Sequence, residues 1–218
     1  MHSPGYVRDV LDFCAREFPG GSGAFFFGDA AFTMNRKRAR RIMEFMPGTP
    51  FTYHIQTRAD YLDDGLISDL AAAGVTDIAI GAETFNERIL REVVRKRLDV
   101  SRVLEAARAV RAAGMRPMLT FIVGLPGETR ESVMSTVEIL RDNGLFDATF
   151  FPLVVFRGTA LFEYMLARVG PEGLDPFRIN PMSEEFLCAS DEFPAADDLT
   201  GFTDLVNAEL AAARPGGM

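Results

Sequence analysis

In this 218-residue chain, carboxylates and glycines collect just past short apolar runs. Asp29 follows Ala24-Phe25-Phe26-Phe27-Gly28, and Glu83 follows the run from Thr76 to Gly81. Gly124-Leu125-Pro126-Gly127-Glu128 follows Leu119–Val123. Gln56 and Arg58 close a segment in which Thr52, His54, Gln56 and Arg58 alternate with Phe51, Tyr53 and Ile55. Carboxylates can hold cationic or hydroxyl groups and can move protons, and glycine lets a ligand come close to the backbone. Acids also favour the first turn of a helix. That reading is strong for Asp63 and Glu128 and weaker for Asp29, which stands six residues before the helix cap expected at Asn35. His54 reads as a hydrogen-bonded histidine within packed structure, with proton transfer as the alternative. Two cysteines, Cys14 and Cys188, cannot supply a three-thiolate or four-thiolate metal site alone.

The elements that must position these residues alternate regularly. Helical spacing of Val7, Val10, Leu11, Cys14 and Phe18 predicts a helix over 4–18. Strands are expected at 24–28, 51–58, 76–81, 117–124 and 149–156. Helices are expected from an Asn35 cap to about Phe45, at 63–73, 86–95, 101–113, 129–143 and 159–169. Three of them close at Ala73-Gly74, Ala113-Gly114 and Asn143-Gly144. This βα alternation predicts an α/β fold with a parallel sheet and right-handed crossovers. No G-x-G-x-x-G turn follows the first strand, which favours a partial parallel (β/α) barrel of about five strand–helix units over a doubly wound sheet. In such a barrel the helix-facing side of 51–58 must be apolar, so Thr52, His54, Gln56 and Arg58 are expected to face a polar interior. The prolines after Gly170 mark 171–218 as a separate extension, irregular over 170–196 and helical over 197–213. The run Arg36-Lys37-Arg38 with Arg40 and Arg41, and the run Arg95-Lys96-Arg97, read as solvated. Arg157 is a candidate for a substrate carboxylate.

Composition narrows the function classes. A net charge of −8 argues against a nucleic-acid partner. No stretch of 18 apolar residues predicts a membrane span. The first residues lack a basic segment followed by an apolar run, so no signal peptide is expected, and the scarce cysteines point to a reducing cytoplasm.

Taken in order, FFFGDAAFT at 25–33, QTRAD at 56–60, IGAET at 80–84, FIVGLPGET at 121–129 and FRGTALF at 156–162 resemble the strand ends of the radical SAM superfamily. The nearest likeness is to the group that often carries an upstream cobalamin-binding domain. The resemblance implies a (β/α)6-type partial barrel. It also implies S-adenosylmethionine (SAM) chemistry, in which a 4Fe-4S cluster on three cysteines reduces SAM to a 5′-deoxyadenosyl radical that abstracts hydrogen from a substrate. By the same resemblance Gly28 and Asp29 match the motif at the SAM amino group, with Ala30 where relatives often have a second acid. Gln56 and Arg58 match polar positions of the next strand end, and Gly81 and Glu83 the region at the SAM ribose or carboxylate. Ile122, Gly124 and Glu128 match the motif near adenine. Gly158 and Thr159 match the last strand end, in a structural role.

The family's C-x3-C-x2-C cluster motif is absent, so the strands here correspond to the family's second to sixth. The chain is expected to be N-terminally truncated and inactive alone, with cobalamin reachable only through an upstream domain. Strand 24–28 is then an exposed apolar edge that a partner or further segment would complete. Catalytic residues and substrate, a small molecule or a peptide, are not readable. Two other readings remain open: a cluster-less remnant that binds a ligand or partner, and a metal-independent barrel enzyme using Asp29 and Glu83. No G-x-S-x-G motif supports a nucleophile.

Overall fold

The computed structural model describes residues 2–18, 23–95, 98–176 and 185–215. Five strands form one sheet in the order β1 (Gly23–Phe26), β2 (Phe51–Thr57), β3 (Val75–Glu83), β4 (Arg116–Val123) and β5 (Ala148–Pro152). Strand β2 pairs parallel with both β1 and β3. With helices between the strands, this is the expected α/β partial parallel barrel. Two compact units share the chain, one of Met1–Ala82 with Leu98–Leu119 and one of Glu83–Arg97 with Thr120–Met218.

The first unit holds α1 (Pro4–Glu17), α2 (Arg36–Met43), α3 (Asp64–Ala72) and α5 (Val100–Ala112). Local chemistry sets their ends. The Ser3 hydroxyl accepts from the Tyr6 N–H, Asn35 accepts from Arg38, and Asp63 accepts from Leu66, each satisfying an orphan amide of a first turn. Gly74 and Gly114 leave their helices with φ of 86° and 82°, a conformation that costs other residues a Cβ clash. On β2, Tyr53, Ile55 and Thr57 are buried, Thr52 and Gln56 are exposed and His54 is half-buried. The polar face read from the sequence is thus the open face. Tyr53 is wholly buried and keeps its hydroxyl satisfied through Thr49 Oγ1 at 2.6 Å. Burial pushes its phenol up, against the Thr49 hydrogen bond.

A β-bulge interrupts the β2–β3 ladder. Tyr53 pairs with Val75, but His54 pairs with Asp77, so Thr76 is the extra residue. Side chains alternate along a strand, so a slip of one residue exchanges its faces. Beyond the bulge, Ile78, Ile80 and Ala82 are buried, while Asp77 shares the open face with His54.

The second unit holds α4 (Glu87–Glu92), α6 (Arg130–Asp142), α7 (Ala160–Val169) and α8 (Ala196–Ala212). Phe121 stacks on Phe150 at 4.8 Å and meets the edge of Phe85 at 4.9 Å. Helix α8 packs on β5, where the Asn207 amide accepts from the Phe150 N–H and donates to its carbonyl, both at 2.9 Å. Two expectations are corrected here. The strand expected over 149–156 is divided at Leu153: Ala148–Pro152 stays in the main sheet, while β6 (Val154–Phe156) enters a second sheet of order β6-β8-β7. Its partner β8 (Glu185–Cys188), and β7 (Leu174–Pro176) on the other side of β8, lie in the stretch read as irregular. Antiparallel pairing from distant sequence supplied their backbone partners, an event that local pattern does not encode. Positions 177–184 of that stretch, and Lys96 and Arg97, lie outside the described residues.

Candidate functional site

Each sequence-derived site residue stands at or near the carboxyl end of a strand of the main sheet. In the first unit, Gly28 and Asp29 follow β1. Nothing lies within 4 Å of the point where a Gly28 Cβ would sit, so the backbone there is open to approach. The Asp29 carboxylate accepts from Arg38 Nη1 at 3.1 Å, both side chains being nearly buried, and Arg38 Nε donates to the His2 carbonyl at 2.9 Å. Arg38 is therefore a structural partner of the site, not part of a solvated face. The other α2 arginines conform better to that reading: Arg36 pairs with exposed Asp63, and Arg40 reaches Asp69 at 3.3 Å. A cleft of ≈ 480 Å³ opens beside Val7, Val10, Phe25, Phe27, Asp29 and Arg38.

Gln56 is exposed near the end of β2. Arg58 sends a two-pronged hydrogen bond to Asp60, at 2.9 and 2.8 Å, and lies 5.2 Å from the Tyr61 ring. Gly81 is half-buried in β3 on the face shared by Asp77 and Ala79.

In the second unit Glu83 ends β3 with φ 64°, an uncommon left-handed conformation for a glutamate. Held backbone strain of this kind clusters at functional positions. Ile122 is half-buried and lies beside Glu83 and Glu128, with no space between them for even a water molecule. Glu128 is 6% exposed. Its Oε2 accepts from the Gly124 and Leu125 amides at 2.9 and 3.4 Å, and its Oε1 accepts from Thr84 Oγ1 at 3.0 Å. Burial raises its carboxyl to about 7, against the pull of those three donors. Glu128 thus clasps the turn after β4 to the end of β3. Gly124 is required twice over: its φ is 95°, and a Cβ there would sit 2.9 Å from Leu199 Cδ1.

Arg157, a candidate for a substrate carboxylate, lies 5.4 Å from both the Phe162 and Phe186 rings. Thr159 caps α7, accepting from the Phe162 N–H. The sequence reading passed over Asp77, which the bulge brings to His54. A signal was present, because the apolar positions Val75, Ile78 and Ile80 break the alternation expected of an unbulged strand.

The thiols do not form a cluster site. Cys14 is half-buried in α1, and Cys188 is wholly buried in β8, where burial pushes its thiol up to about 11. Among the described residues, no group of three His, Cys, Asp or Glu is placed to hold a metal ion. A 4Fe-4S cluster on three thiolates does not fit a chain with two cysteines.

Comparisons with known proteins give the family and the fold. The sequence profile of the radical SAM superfamily matches residues 2–140. The chain is 27% identical over 143 residues to an uncharacterized methyltransferase of Pyrococcus horikoshii, covering 65% of this chain and 31% of that protein. It is 25% identical over 179 residues to the cytidylyl-2-hydroxyethylphosphonate methyltransferase of Streptomyces wedmorensis, covering 76% and 33%. The chain therefore spans about a third of these relatives' length. Among solved structures, the radical SAM methyltransferase TsrM of Kitasatospora setae, with cobalamin and a [4Fe-4S] cluster bound, superposes with a TM-score of 0.69. That match is 18% identical and covers 83% of this chain and 37% of TsrM.

Proposed function

This chain belongs to the radical SAM superfamily, and on that premise we propose that it is the lobe that binds SAM and presents a substrate for hydrogen abstraction. The observation that carries the reading is the ordered row of polar and glycine positions at successive strand ends: Gly28 and Asp29, Gln56 and Arg58, Gly81 and Glu83, Ile122 and Gly124. The reachable backbone at Gly28 and the Asp29 carboxylate suit the ammonium end of SAM. Glu83 suits its ribose or carboxylate, and Ile122 offers an apolar surface for adenine. Glu128 acts by holding the turn. SAM, when bound, supplies the adenosyl group. The three cluster thiolates come from outside this chain, and cobalamin would enter only through a further domain. The apolar edge of β1, where Phe26 is 64% exposed, suits a strand from a partner or another segment. No helix among the described residues is long and apolar enough to cross a membrane, and two free cysteines suit a reducing cytoplasm.

The test is titration with S-adenosylhomocysteine, which needs no cluster. We expect saturable one-to-one binding tighter than about 1 mM, or about 4 kcal/mol, weakened at least tenfold by Gly28→Val. No saturable binding, or binding indifferent to that substitution, overturns the reading. A binding module without catalysis is the second reading, favoured by the cysteine count. It predicts the same binding, but a native assembly that carries no C-x3-C-x2-C segment.

A further inference from the structure

The bulge at Thr76 builds a polar cluster that none of the strand-end positions includes. His54 Nε2 lies 3.0 Å from Asp77 Oδ2. The same oxygen accepts from Thr76 Oγ1 at 2.6 Å, and Oδ1 accepts from the Arg116 guanidinium. Asp77 is almost fully covered, whereas His54 is 32% exposed. Asp77 and Arg116 sit toward the amino ends of β3 and β4, and His54 at the middle of β2. Asp77 is four residues before Gly81 on β3, about 13 Å along an extended strand.

Burial would raise the Asp77 carboxyl, but hydrogen bonds from Thr76 and Arg116 and the charges of His54 and Arg116 outweigh it and hold it below the usual range. An ionised carboxylate only accepts hydrogen bonds, so the imidazole nitrogen facing it must carry the proton. In the neutral ring the other nitrogen, Nδ1, is then a bare acceptor. Asp77 thereby fixes the tautomer, as a carboxylate behind a histidine does in other proton-handling sites. Thr76 and Arg116 spend the remaining capacity of Asp77 and hold it still. The neighbour of His54 in register on β1 is Phe26, on the same face and 64% exposed. An oriented acceptor next to an uncovered aromatic ring matches a two-part ligand, one part apolar and one part a donor.

We propose that His54, positioned by Asp77, is a ligand-binding hydrogen-bond acceptor on the open face of this sheet, for an aromatic or otherwise apolar molecule carrying a hydroxyl or amine. This deepens the reading above by placing the presented substrate on this face, and the ligand class is then that of the substrate. Asp77 is a positioning residue and touches no ligand. Asp77 is the charged group that meets the ring, and Arg116 meets Asp77.

The test uses the full chain with His2→Gln, which leaves His54 as the one imidazole. It needs neither SAM nor a cluster, so its outcome is independent of the S-adenosylhomocysteine titration. Nitrogen-15 spectra of labelled histidine, recorded where the spectra themselves show a neutral ring, report which ring nitrogen carries the proton. We expect Nε2 protonated and Nδ1 bare. Phenol should move the Nδ1 signal saturably, and anisole, the same ring without a donor, should bind at least tenfold more weakly. Asp77→Asn should populate the other tautomer and weaken the phenol response at least threefold. A role confined to packing would leave tautomer and ligand response unlinked. A protonated Nδ1 in the parent chain, or an equal response to phenol and anisole, overturns the proposal, and both are read without the Asp77 variant.

Discussion

Replacing Glu128 by glutamine should remove a pH dependence of stability that this one side chain creates. In the unfolded chain a glutamate loses its proton near pH 4.5, and in the fold burial holds the proton up to about 7. Across that window the native state binds more protons than the unfolded state. Stability therefore falls as pH rises from 4.5 to 7 and stays lower above it, the reverse of a salt-bridged carboxylate. The gap corresponds to about 3 kcal/mol, at up to about 1.4 kcal/mol per pH unit. Glutamine can satisfy the same partners: its carbonyl accepts from the Gly124 and Leu125 amides, and its amide donates to Thr84 Oγ1. It has no proton to lose. Urea unfolding of both chains at matched pH between about 4.5 and 8 should show the glutamine variant gaining about 3 kcal/mol on the parent as pH rises. The difference isolates Glu128 from the other carboxylates, of which Asp63 and Asp77 are both shifted downward. A difference that stays flat within about 0.5 kcal/mol would refute the reasoning, because it would mean the buried carboxyl titrates as it does in water. Glu128→Ala is the contrast, leaving two amides and the Thr84 hydroxyl proton without an acceptor at a cost of about 3 kcal/mol or more.

Gly124→Ala should destabilise by about 2–4 kcal/mol, from its left-handed backbone and the collision with Leu199. Adding Leu199→Ala should relieve the steric part, giving a non-additive cycle in urea unfolding. Asn207→Ala strips both hydrogen bonds from Phe150 and should cost about 1–3 kcal/mol, with faster hydrogen exchange at the Phe150 amide as the local readout. Anaerobic reconstitution of this chain with iron and sulfide should give no stoichiometric 4Fe-4S cluster by iron count and absorbance, since two cysteines cannot provide three thiolates. One full cluster per chain would sink that expectation.

Where the information is local, it was legible in the residue order. Asn35, Asp63 and Thr129 cap helices as their types require, and Gly74 and Gly144 end them at φ 86° and 63°. Alternation and helical spacing encode the βα order, and the strand-end motifs locate the candidate SAM positions. The count of two cysteines needs no coordinates. Tertiary structure decided what depends on partners distant in sequence. The expected strand over 149–156 divides because β8, some thirty residues later, offers a second set of backbone partners to Val154–Phe156. Arg38 reads as a solvated cation until Asp29 and the His2 carbonyl enclose it. The Glu128 carboxyl reads as a first-turn acid until burial and Thr84, 44 residues away, give it an inward role. Asp77 joins His54 only because one extra residue at Thr76 exchanges the faces of β3. A side chain's type is written in the sequence, but its solvation and its face are set by whatever the folded chain lays beside it.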